Sequence, residues 1–161
     1  MDRCKYILKR LEKELRSLEY KEPFLSRDGE RFIAVFFPMN PETEKFYPVQ
    51  INWLIDDENN MILFHAEREE SVNAEEIKIL QFCNEWNKKC YVTAVYDKDN
   101  GGLYLDYILP LPERVSDMFL SIQVYHNLAF AAEKFFKEAE KFKWMEKESE
   151  NHINEGDVKN E

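Results

Sequence analysis

Leu8, Leu11, Leu15 and Leu18 recur at three- and four-residue steps with Lys, Arg and Glu between them. This spacing predicts an amphipathic helix from about Asp2 to Tyr20 whose leucine stripe packs on a core. Ser26-Arg27-Asp28-Gly29 then signals a turn. Arg31 to Phe37 is nearly all apolar, a pattern expected of a strand buried on both faces. Tyr47, Val49, Ile51, Trp53 and Ile55 alternate with Pro48, Gln50, Asn52, Leu54 and Asp56, so the next strand has one inward face. A polar turn at Asp57-Glu58-Asn59-Asn60 leads to a third strand, Met61 to Ala66, and the three read as an antiparallel meander.

Asn73, with Glu76 three residues later, predicts the capped start of a second helix. Ile79, Phe82, Cys83, Trp86 and Cys90 share its apolar face. Two strands follow, Tyr91 to Tyr96 and Leu103 to Leu109, joined as a hairpin through Asp97-Lys98-Asp99-Asn100-Gly101-Gly102. Pro110 and Pro112 end the second of them, because proline has no N–H for the ladder. A long helix is expected from about Ser116 to Trp144. The order helix, three strands, helix, two strands, long helix defines an α+β domain over 1–145 with a mostly antiparallel sheet. Trp53, Phe64 and Trp86 lie on inward stripes and are expected in the core.

The last helix has more apolar surface than one stripe requires. Met118, Ile122, Tyr125, Ala129, Ala132 and Phe136 form one face; Leu120, Val124, Leu128, Ala131, Phe135 and Phe142 form another, roughly 120° away at 100° per residue. One face meets the sheet. The second, represented by Leu120, Val124, Leu128 and Phe135, either packs on the first helix or binds a partner, as a homodimer or client interface. Those four residues are therefore the candidate partner-binding site.

Composition narrows the partners. The 161 residues carry a net charge of −10, which opposes nonspecific binding to nucleic acid and to anionic membranes and suits a basic partner. Residues 146–161 hold six acids and two bases, the composition of a disordered acidic tail. The amino terminus passes directly into the amphipathic pattern without a signal-peptide core, and no apolar run is long enough to span a bilayer, so a cytoplasmic protein is expected. Three cysteines, Cys4, Cys83 and Cys90, do not make a disulfide framework.

Chemistry-bearing motifs are sparse. His65, His126 and His152 lack the paired spacing of a metal site; His65, near Glu67, fits a surface strand position better. Cys83 and Cys90 are too far apart for a CxxC pair and fit buried apolar positions. Asp97 to Gly101 superficially matches a calcium loop, but the twelfth position is Ile108, where a Glu is required, and a hairpin turn explains the same residues. No nucleophile elbow, Walker loop or dinucleotide fingerprint occurs, and four glycines leave little material for phosphate-cradling backbone.

The stretch Leu80-Gln81-Phe82-Cys83-Asn84-Glu85-Trp86-Asn87, a strand hairpin, and Leu109-Pro110-Leu111-Pro112 leading into a long helix together resemble the YbjN family, which shares the fold of type III secretion chaperones. Asn84, Trp86 and Asn87 fit that family's Asn-x-x-Asn-like helix end. The pattern covers Leu80 to Phe136, and the element order extends the likeness to about Met1 to Lys143. The resemblance implies a layered domain that often dimerises and captures a segment of another protein, with no catalytic residues and no cofactor. The expected function is a non-enzymatic, chaperone-like or regulatory module that binds another protein or peptide. The alternatives are an immunity or antitoxin-like inhibitor of a basic protein, and an enzyme whose acidic site is assembled from distant residues.

Overall fold

The computed structural model describes residues 3–17, 24–28 and 31–146. Helix α1 spans Arg3–Ser17. Strands β1 (Phe24–Asp28), β2 (Arg31–Phe36), β3 (Val49–Asp56) and β4 (Met61–Glu67) follow, then a short β5 (Ser71–Asn73) and helix α2 (Glu76–Lys89). Strands β6 (Thr93–Asp97) and β7 (Gly102–Pro110) form the second hairpin. The last helix ends in α3 (Asn127–Ala139), and β8 (Lys143–Met145) comes after it. The main sheet has six strands in the order β1-β2-β3-β4-β7-β6, every neighbour antiparallel; β5 and β8 form a separate ribbon.

The strict alternation in β3 and β4 sends Val49, Ile51, Trp53, Ile55, Ile62, Phe64 and Ala66 to one buried face. The helices cover that face. Trp53 sits at its centre: its indole is fully buried against Phe32, Phe64 and Tyr125, and its Nε1 donates to the Val124 carbonyl at 3.0 Å. Phe64 and Trp86 are buried as expected. Cys83 is too, and burial pushes its thiol up to about 11, which leaves it protonated and unreactive.

Several elements differ from the sequence expectation. The meander has a fourth strand, β1, which pairs with β2 as far as Asp28↔Arg31; Ser26 and Arg27 belong to that strand rather than to the turn. Strand β2 is not buried on both faces: Phe32 and Ala34 point into the core while Ile33 and Val35 are half-buried opposite it, and Phe37 is exposed. The cause is that no helix among the described residues covers the second face. Asn73 does not cap α2. It ends β5 opposite Lys143, and α2 begins after Glu75 without a side-chain cap. In α1 the buried positions are Cys4, Ile7, Leu8 and Leu11; the side chain of Leu15, all of Leu18 and the proposed tail beyond Glu146 lie outside the described residues.

The largest departure is in the last helix. Phe119–His126 is wound as a π-helix, with the Asn127 amide bonded to the Ile122 carbonyl five residues back. At the wider π turn, residues four and five apart share a face, so Leu120, Val124 and Tyr125 all enter the core while Met118 and Ile122 stay exposed. The helix also stops at Ala139 rather than continuing to Trp144. Chain reversal there lets the Trp144 indole donate to the Ala139 carbonyl at 3.1 Å and pair with Val72 in the ribbon. Gly101 closes the arrangement. Its φ of +67° suits glycine, a Cβ there would stand 3.0 Å from that of Ser71, and its carbonyl accepts the Val72 amide at 2.8 Å.

Candidate functional site

The four residues expected to contact a partner are inside the domain. Leu120, Val124, Leu128 and Phe135 are all fully buried, and no partner reaches them without opening the core. Helix α1 covers part of this stripe and is tied there by polar contacts: Arg10 pairs with Asp117 at 3.0 Å, Tyr6 donates to Asp117 at 2.6 Å, and Ser121 donates to Glu14 at 3.2 Å. Apart from the exposed Met118 and Ile122, the two stripes of the last helix thus share one broad buried face, and an open concave surface lies on the other side of α2 and α3.

That surface is a groove of about 1180 Å³ between α2 and α3. The helices meet through Phe82 and Trp86 of α2, whose rings stand 5.2 and 5.0 Å from that of Phe135. The outer edges of Phe82 and Trp86 form the floor, with Phe142 half-buried beside them. Phe130 (68% exposed) and Tyr91 (54% exposed) rise from the rim. Lys78, Lys89, Lys134, Lys141 and Lys143 also line the groove. Glu75 is paired to Lys78 at 3.0 Å and Glu85 to Lys88 at 2.9 Å. The Lys141 ammonium lies 4.5 Å from the Phe82 ring centroid, a cation–π contact that keeps its charge at the groove. The site's signal in the sequence is Phe130, an aromatic residue on the face of its helix that points away from both apolar stripes.

Phe130 also borders a smaller cavity of about 280 Å³ on the other flank of α3, with Phe36, Phe37 and Pro38 opposite Tyr125 and Ala129. His126, one of the three histidines, is at its edge. Among the described residues no group of three or more His, Cys, Asp or Glu side chains is arranged to hold a metal ion, and no helix is long and apolar enough to cross a membrane.

The helix-end residues of the family-like stretch have visible work. Trp86 Nε1 donates to the Val92 carbonyl at 2.8 Å. Asn87 makes two bonds to one residue of the edge strand β6: its Oδ1 accepts the Ala94 amide at 2.7 Å, and its Nδ2 donates to the Ala94 carbonyl at 3.1 Å. A side-chain amide thus occupies the position a neighbouring strand would take, which blunts an edge otherwise open to pairing. Asn84 is exposed. With this geometry a family model matches residues 8–133, and its description is "Putative bacterial sensory transduction regulator". The chain belongs to the YbjN family. No curated protein matches the chain. In this YbjN domain Asn87→Ala is expected to lower stability by about 1 kcal/mol. It should also cause concentration-dependent association through β6, measured by sedimentation; a monomer at all concentrations would contradict the edge-blocking role.

On the uncovered face of the sheet, His65 of β4 is opposite Asp106 of β7, with Nδ1 and Oδ1 2.6 Å apart, and its Nε2 is 3.5 Å from Glu67. Glu67 raises its pKa; partial burial opposes this, and Asp106 adds to the rise. The pair fits a surface strand ion pair. Because the folded value lies above the ordinary 6.5, the stabilisation is complete below about pH 6.5 and fades as the pH rises through the elevated value. Denaturation midpoints of the wild type and His65→Gln should therefore converge at alkaline pH and separate in mild acid.

Proposed function

We propose that this domain is a regulatory protein-binding module that acts by holding a segment of another protein, without catalysis, in the groove between α2 and α3. The observation that carries the reading is the groove itself. Phe130 and Tyr91 at its rim remain exposed and Phe142 half-buried between two helices, whereas Leu120, Val124, Leu128 and Phe135 of the last helix are consumed by the core. Concave, aromatic-lined clefts between helices are the usual receptors for amphipathic segments. A regulatory role agrees with the description of the family.

The test is site-specific photo-cross-linking in the native cell, with p-benzoylphenylalanine at Phe130 in the groove or at Ile108 on the uncovered sheet face. Both side chains are exposed, at 68% and 58%, so neither probe disturbs the core. Adducts to a partner are expected from Phe130. Adducts from Ile108 with none from Phe130 would refute the groove as the binding site.

A further inference from the structure

We infer that the groove takes an acidic amphipathic helix of a partner protein, one that carries Glu or Asp beside aromatic or leucine anchors. This rests on the groove being the binding site and names the chemistry it selects.

The overall charge of −10 suggests a basic partner, but charges act over a limited range. At physiological ionic strength the screening length is about 8 Å, so a bound segment responds to the walls around it rather than to distant surface charge. Those walls carry five lysines against three glutamates. Two of the glutamates are already engaged, Glu75 with Lys78 and Glu85 with Lys88. Among the described residues, Lys89, Lys134, Lys141 and Lys143 have no carboxylate within ion-pair distance. A locally cationic groove in a strongly anionic protein therefore selects acidic segments and repels basic ones.

The shape specifies a helix. On α2 the lining residues Lys78, Gln81, Phe82, Glu85, Trp86 and Lys89 recur at three- and four-residue steps, and the other wall is the helix α3. Two helical walls with a 5.4 Å repeat accept a third helix whose anchors recur at i, i+3 or i+4, and i+7. Its apolar stripe would cover Phe130, Phe142 and the edges of Phe82 and Trp86. Its carboxylates would reach Lys89 and Lys134 on opposite walls.

The test uses the full chain and three synthetic helical peptides with identical leucine and tryptophan anchors, flanked by Glu, Gln or Lys. A fourth peptide has the sequence of residues 147–161. Binding is measured by calorimetry at two salt concentrations. The Glu peptide is expected to bind about tenfold tighter than the Gln peptide, with the Lys peptide weakest and the differences shrinking in salt. The double variant Lys89→Glu/Lys134→Glu changes only exposed side chains and should reverse the order. Equal affinity for all three designed peptides would overturn the acidic preference while leaving the groove as an apolar receptor. No binding by any peptide would overturn the groove reading as well. Binding confined to the 147–161 peptide would replace the partner with the chain's own acidic segment and overturn the inference.

Discussion

Replacing Arg68 with methionine is expected to destabilise the domain by about 3 kcal/mol, the lower end of the range for removing one member of a buried ion pair. Arg68 is the single buried charged residue among the described positions. Its guanidinium bonds the carboxylates of Glu70 and Glu140. It lies between two aromatic faces, 4.3 Å from the Tyr47 ring centroid and 4.1 Å from that of Trp144. Glu140 also accepts from Asn40 Nδ2 at 2.5 Å, so one cation fastens the loop after β2, the end of β4, the end of α3 and β8 together. Tyr47 is itself buried, and that burial, with the Glu140 carboxylate nearby, pushes its phenol up to about 12. Methionine fills the volume but leaves Glu140 without its cation. Glu70 is the more exposed of the two and can turn to solvent, which limits the cost. Arg68→Lys should recover only part of the loss, because an ammonium cannot serve two carboxylates in one plane and stack between rings. Urea unfolding measures both variants; a midpoint within 0.3 kcal/mol of wild type, roughly the precision of such comparisons, would show that the cluster contributes nothing.

Trp53→Ala should cost more, about 3–5 kcal/mol for the lost indole and its cavity, and loss of the Nε1 hydrogen bond to the Val124 carbonyl would add to it. Small domains have about 5–15 kcal/mol in total, so the variant should be partly unfolded at physiological temperature. Trp53→Phe separates the two contributions. It keeps much of the ring packing but removes the donor that meets the Val124 carbonyl within the π-helical segment. Near-ultraviolet circular dichroism and the urea midpoint should place Phe between Ala and wild type. If Phe matched wild type, the hydrogen bond would be dispensable and the π winding would need another support.

Most of the architecture is readable from local pattern, and the misses have identifiable causes. Strand β3 announces itself because its two faces differ in environment, so Val49 to Asp56 alternates. The second helix does so because Ile79, Phe82, Cys83 and Trp86 share a stripe. Strand β1 was hidden by Ser26, Arg27 and Asp28, polar residues that fit a turn equally well. The ribbon was hidden because Val72 and Trp144 are separated by most of the second half of the chain, and three-residue strands have no periodicity to detect. The candidate site failed for a geometric reason. Counting at 100° per residue splits the apolar positions of the last helix into two faces, whereas a π turn rotates Leu120, Val124 and Tyr125 onto one. With that surface buried, the accessible aromatics beside the groove are Phe130 and Tyr91, which belong to neither stripe. The lysines around them were invisible as a group, since they come from two helices and from the chain beyond α3.

The Arg68 cluster also fixes an order of events during synthesis. Its ligands come from residues 47, 70, 140 and 144, and β5 has no strand partner until β8 exists. A ribosome delivers the chain from its amino end, and domains settle as their contacts become available. The meander can pair as soon as β4 emerges, but Arg68 then lacks Glu140 and Trp144, and the underside of β5 stays open. Closure waits until residue 145 has left the exit tunnel. For that interval Arg68 has only Glu70 and Tyr47 of its final partners, and the nascent chain keeps that corner incomplete. A product that ends before residue 140 should therefore be less stable than the full chain, because it lacks both Glu140 and Trp144.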